Sequence, residues 1–347
     1  MFFSFRENLL SLIFVLFTIS LIVFSKSNLL SAKEGLILWA NSVVPSLFPF
    51  FVATELLSYT NVIIILGNCL NSIMKPLFNV PGSGAFPFIM GIISGYPTGA
   101  KIVSNFKNNG ICSDIEAERL LAFTNNSGPL FIIGTVGISL FGNSLIGFLL
   151  FFTHLLSCIT VGFLFRFWKY NNTPKYVDQN TLKSNKAFSN FNNLGEILGK
   201  SIKSATNTIV LIGGYIVLFS VFLSIIKNSK ILNILSFLLY PIFYILNINP
   251  KFLSGFICGI IELTNGVSII SNIPESLISI NIILCAFLLG FGGFSVVLQV
   301  FSIASSAKIS IKPYIIGKLL QGLFAAIYTY LFIYNFSIFN LDLFKIF

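Results

Sequence analysis

Apolar runs, several of them near the roughly twenty residues needed to cross a hydrocarbon core, follow one another along nearly the whole chain. They fall at 9–25, 36–58, 62–80, 85–104, 119–141, 143–168, 205–226, 231–248, 252–272, 277–304 and 313–334. Backbone in a bilayer must satisfy its own hydrogen bonds, so a bundle of many helices is the class that fits. Only 9% of the residues are charged, against roughly a quarter in soluble domains, and no stretch is left over for a soluble domain of ordinary size. The first run, Leu9 to Phe24, has no small-x-small cleavage site and reads as an uncleaved helix.

The net charge of +10 suggests a nucleic-acid partner at first sight. The lysines, however, sit between apolar runs, above all from Arg166 to Lys203. That is the pattern of cytoplasmic loops, and nucleic acid is excluded as a partner. The five cysteines are scattered without C-x-x-C spacing, and His154 stands alone in its span. Neither a metal site nor a nucleophile–base pair is expected, so the chain reads as a non-enzyme. Glu116 to Arg119 reads as helix-capping and interface charge.

Four apolar segments are interrupted. "SGYPTGAK" (Ser94 to Lys101) breaks a helix near Tyr96–Pro97, which leaves unpaired carbonyls before the break and N–H groups after it. "TNNSGP" (Thr124 to Pro129) stops one helix and starts another. "ELTNG" (Glu262 to Gly266) and "GFGGFSVVLQ" (Gly290 to Gln299) interrupt the later half. Asn41 aligns with Asn207, Gly91 with Gly259 and Ser127 with Ser295, in the same order and at nearly one offset. Duplication follows. Paired interruptions at corresponding places in two halves point to the binding site of a secondary transporter.

The expected fold is therefore an all-α polytopic membrane protein of two structurally repeated, inverted halves with interrupted helices or re-entrant hairpins. Its expected parts are an N-terminal transmembrane helix (1–30), a first repeat (31–168), a polar cytoplasmic linker (169–203), a second repeat (204–335) and a tail (336–347). The candidate substrate-binding residues are Ser94, Tyr96, Thr98, Gly99, Lys101, Thr124, Asn125, Asn126, Ser127, Glu262, Thr264, Asn265, Gly266, Phe294, Ser295 and Gln299. Ionisable groups at depth mark transport pathways, so Glu262 and Glu55 are the coupling candidates. For Glu55 and Lys101 a mutual ion pair is the competing reading.

Taken together, "WANSVVPSLFPFFVATELL", "GIISGYPTGAKIV", "FTNNSGPLFIIGTVG" and "GIIELTNG" resemble the YlbJ-type sporulation integral membrane proteins. These are similar to nucleoside-recognition (Gate) domain proteins and, more distantly, to concentrative nucleoside transporters. The resemblance covers residues 30 to 335. It implies an endospore-forming bacterium, a place in the outer forespore membrane and dipicolinic acid as the solute. A planar ring with two carboxylates asks for donors, a cation and an aromatic wall, which Lys101, the Asn125–Ser127 cluster, Tyr96 and Phe294 are expected to supply. The expected partners are a small-molecule anion and the lipid bilayer, and an oligomer is compatible with this reading. No cofactor is expected beyond coupling to protons or a cation. A nucleoside transporter and a non-transporting scaffold for spore assembly are the alternatives.

Overall fold

The computed structural model describes residues 5–170, 194–274 and 279–335. Most of the expected linker (171–193) and the expected tail (336–347) lie outside them. Among the described residues all regular structure is helical. The chain is an all-α polytopic membrane protein. Ser144–Phe165, Leu194–Asn228, Ser279–Ser306 and Lys312–Asn335 are each long and apolar enough to span a bilayer, and two bent helix pairs add to them.

Helix α1 (Phe5–Val23) turns by 96° into α2 (Ser25–Leu38). A π-wound turn, Trp39–Val43, leads on into α3 (Val44–Ser58). Then come α4 (Val62–Phe78), α5 (Ala85–Ser94), α6 (Thr98–Asn108), α7 (Asp114–Thr124), a π-wound segment (Leu130–Leu140) and α8 (Ser144–Phe165). The second half runs α9 (Leu194–Asn228), α10 (Ile231–Ile245), α11 (Leu253–Ile261), α12 (Leu263–Ser271), α13 (Ser279–Phe291), α14 (Gly293–Ser306) and α15 (Lys312–Asn335). Each half thus presents a long leading helix, a second helix, two broken pairs and a closing span, in that order. The runs at 85–104, 119–141, 252–272 and 277–304 are each split where their glycines, prolines or Glu262 fall.

The halves interlock through the far pieces of the broken pairs. Val296, Val297 and Val300 of α14 join the core of Phe78, Phe86, Leu120 and Phe123 from the first half. Reciprocally, Ile132 and Val136 of the π-wound segment join the core of Leu263, Val267, Ile282 and Leu288 from the second. Long apolar side chains on α10, such as Phe237 at 80% exposure and Ile245 at 77%, face outward, as lipid contact requires. Inside a bilayer such helices associate by close packing and polar contacts, since lipid is as apolar as leucine.

Two local features place the ends. Ser113 and Glu116 form a reciprocal capping box that starts α7, in which two side chains answer two backbone N–H groups. Lys107 Nζ donates to the carbonyl of Lys308 at 3.1 Å, which brings those two basic connections to one end of the molecule.

Candidate functional site

All four helix breaks border one cavity of about 200 Å³. Ser94, Gly95 and Tyr96 come from the first break, Gly128 from the second, Glu262 and Thr264 from the third, and Ser295 and Gln299 from the helix that follows the fourth. Leu47 and Phe50 of α3 and Ile212 and Ile216 of α9 close the apolar side. Backbone chemistry dictates the breaks. Gly95 (φ 75°) and the pair Gly292 and Gly293 (φ 84° and 81°) adopt left-handed conformations that residues with a Cβ rarely reach. Gly91 and Gly99 both lie against the Thr124 carbonyl, where a methyl group at either position would overlap the oxygen. The first two breaks are therefore pressed together.

Glu262 stands alone in extended conformation between α11 and α12 (φ −141°, ψ 116°). Its carboxylate accepts from Thr264 N at 3.1 Å, Asn265 N at 2.8 Å and Asn265 Nδ2 at 2.8 Å. The positive end of α12 is thereby answered by the chain's own carboxylate, and a solute anion has no open claim on it. Glu262 is 6% exposed and faces the cavity. Gly266 packs α12 against the Gly259 backbone and takes a structural place.

Asn125 and Asn126 are buried but do not face the cavity. Asn125 Nδ2 donates to the Tyr314 hydroxyl at 3.0 Å. Asn126 Nδ2 donates to the Phe123 carbonyl at 2.8 Å, and its Oδ1 accepts from Gln321 Nε2 at 2.8 Å. They lock the unwound segment to α15. Ser127 and Tyr96 share a hydroxyl–hydroxyl hydrogen bond that pins the aromatic ring between cavity and interior. Ser94 pairs with Thr54 at 3.0 Å. The hydroxyls of Thr98 and Thr124 are buried without a hydrogen-bond partner among the described residues.

The decisive cation is Lys318, which the sequence reading did not select. It is fully buried, donates to Asn125 O at 3.2 Å and Gln321 Oε1 at 2.9 Å, and lies 5.9 Å from the centre of the Tyr96 ring. Among the described residues no carboxylate pairs with it. An amine buried with only dipolar partners is costly to hold charged, and the Tyr96 ring stands between it and the cavity. The signal was present in the sequence: Tyr314, Lys318 and Gln321 share one helix face by their spacing of four and three.

Lys101 is not that cation. Its ammonium sits 2.5 Å from Glu55 Oε1 and 2.9 Å from both Ser204 Oγ and Thr208 Oγ1, so it ties α6 to α3 and α9 outside the cavity. Glu55 is likewise engaged by Lys101 and Ser204, away from the cavity lining. Phe294 is 49% exposed and points outward against Phe291, so the aromatic wall comes from Tyr96 alone among the two expected rings. The helical register explains these departures. Each residue advances about 100° around its helix, so nearness to a break in sequence does not place a side chain on its inner side.

Residues 40–167 match the family model described as "Gate: Nucleoside recognition", a span that contains the first two breaks. The chain is 34% identical over 334 residues to the sporulation integral membrane protein YlbJ of Bacillus subtilis (strain 168), covering 93% of this chain and 82% of that protein. No solved structure matches the chain. With a relative of that identity aligned through both halves and all four breaks, the chain belongs to the YlbJ-type family of sporulation integral membrane proteins.

Proposed function

We propose that this chain transports a small anionic aromatic solute, dipicolinic acid, across the outer forespore membrane, through a midplane site built from the broken helices of two inverted repeats. The observation that carries this reading is the convergence of all four breaks on one cavity, the arrangement secondary transporters use to bring polar backbone to membrane depth. Lys318 supports the anion: among the described residues no carboxylate pairs with it, and it lies one aromatic ring behind the cavity wall. Glu262, which borders the same space, is the coupling residue of the proposal.

A nucleoside is the second reading. It is favoured by Glu262, since a carboxylate in the lining suits ribose hydroxyls, and by the description of the matching family model. The two readings separate in spores of a strain lacking the protein. Spores depleted of dipicolinate support the first. Unchanged dipicolinate content in such spores overturns it and leaves the nucleoside.

A further inference from the structure

Behind the central cavity lies a second chamber of about 240 Å³, and its lining is polar where the lipid-facing surface is not. Helix α2 contributes Ser31, Glu34 and Leu38, and α9 contributes Ser220, Ser224 and Lys227. On both helices these residues fall on one face at helical spacing, with Gly35 packed on Ser220. Glu34 and Lys227 are exposed at the rim and Ser224 is buried, so the two polar stripes form a cleft that reaches from the surface toward the bundle interior.

The chamber and the cavity lie in series along the same two helices. On α9 the cavity is bordered by Ile212 and Ile216, and the chamber begins one turn later at Ser220. Leu38 borders both spaces. The other partition is the start of α12, where Asn265 lines the chamber and donates to Glu262, which lines the cavity. The direction is also fixed. Lys101 of α6 meets Ser204 and Thr208 near the start of α9, whereas the chamber sits toward its end, where Asn228 meets Ser27 at 3.1 Å. The chamber therefore lies toward the end of α9 that is opposite the Lys101 contact. Neither Glu34 nor Lys227 belongs to an ion pair among the described residues.

We infer that this chamber is a peripheral station for a carboxylate-bearing solute, with Lys227 holding the carboxylate and Leu38 as the constriction between station and central cavity. Glu34, across the chamber, opposes the anion and keeps its stay short. The inference rests on the transport reading for the solute's identity and goes beyond it in site and route.

Two measurements on the full-length protein in lipid vesicles test it. In a Cys69→Ser background, Ser224→Cys is modified with a membrane-impermeant thiol reagent, with and without dipicolinate. Protection by dipicolinate is expected. In uptake assays Lys227→Gln is expected to raise KM about fivefold to tenfold with little change in kcat, as for loss of a charge-assisted contact. Glu34→Gln lowers KM, and Leu38→Trp lowers kcat. Labelling of Ser224→Cys that dipicolinate does not slow overturns the station even where uptake persists. Protection in vesicles that show no uptake upholds the station and removes transport instead. Uptake of uridine but not dipicolinate by the unmodified protein overturns the carboxylate assignment.

Discussion

Lys318 Nζ donates to the backbone carbonyl of Asn125 across 3.2 Å, so a cation on α15 supports the residue at which α7 unwinds. One contact thus joins the closing span of the second half to a break in the first. The same side chain lies against the Tyr96 ring at the cavity wall.

Replacing Lys318 with methionine separates these roles. Lys318→Met leaves the Asn125 carbonyl and Gln321 Oε1 without this donor, at a cost of about 1–3 kcal/mol for buried unsatisfied acceptors, so the melting temperature falls modestly. Dipicolinate uptake falls about tenfold or more, because a desolvated charge no longer faces the anion. Thermal denaturation and uptake on one preparation check both halves of this expectation.

Glu262→Gln removes the charge that caps α12 while keeping one acceptor for Thr264 and Asn265. A loss of about 1 kcal/mol in stability follows from the weakened cap. If Glu262 couples transport to protons, the ratio of uptake with and without an imposed pH gradient falls to one. A ratio equal to that of the unmodified protein excludes Glu262 from coupling.

The Glu55–Lys101 pair is structural in this account. Lys101→Met leaves Glu55 with the Ser204 hydroxyl alone among the described residues, a partly buried charge without its counter-ion. A cost of about 1–3 kcal/mol is expected, below the value for a fully buried pair because both side chains retain some solvent contact. The double variant Glu55→Gln with Lys101→Met recovers most of that loss. A double-mutant cycle on melting measures it, and uptake per folded molecule stays near that of the unmodified protein.

Gly91→Ala and Gly99→Ala place a methyl group onto the Thr124 carbonyl, and neither backbone can yield without moving a break. Both variants are expected to lose folded protein on extraction. Gly199→Ala, which meets open space on α9, is expected to fold normally and to gain about 0.5–1 kcal/mol. Size-exclusion profiles after mild extraction distinguish the three.

The breaks were legible because Gly, Pro and clustered polar residues are anomalous in apolar runs, whatever the neighbouring helices do. What could not be read was azimuth. Lys101 lies three residues past Thr98 at the start of α6 and turns to α3 and α9, whereas Lys318, on the second turn of α15, turns inward. Phe294 sits beside Ser295 in sequence, yet one is exposed and the other is 3% exposed and lines the cavity. A lysine near a span's end also reads as an interfacial anchor, which hid the face formed by Tyr314, Lys318 and Gln321. The polar stripes on α2 and α9 were masked by the lysines and serines of the flanking connections.

The central claim is that dipicolinate crosses the bilayer through the cavity where the four breaks meet. Uptake of labelled dipicolinate into vesicles holding the purified protein tests it most directly, with Lys318→Met and protein-free vesicles alongside. The account predicts time-dependent, saturable uptake by the unmodified protein, reduced about tenfold or more in Lys318→Met. Uptake by folded, unmodified protein that equals that of protein-free vesicles contradicts it.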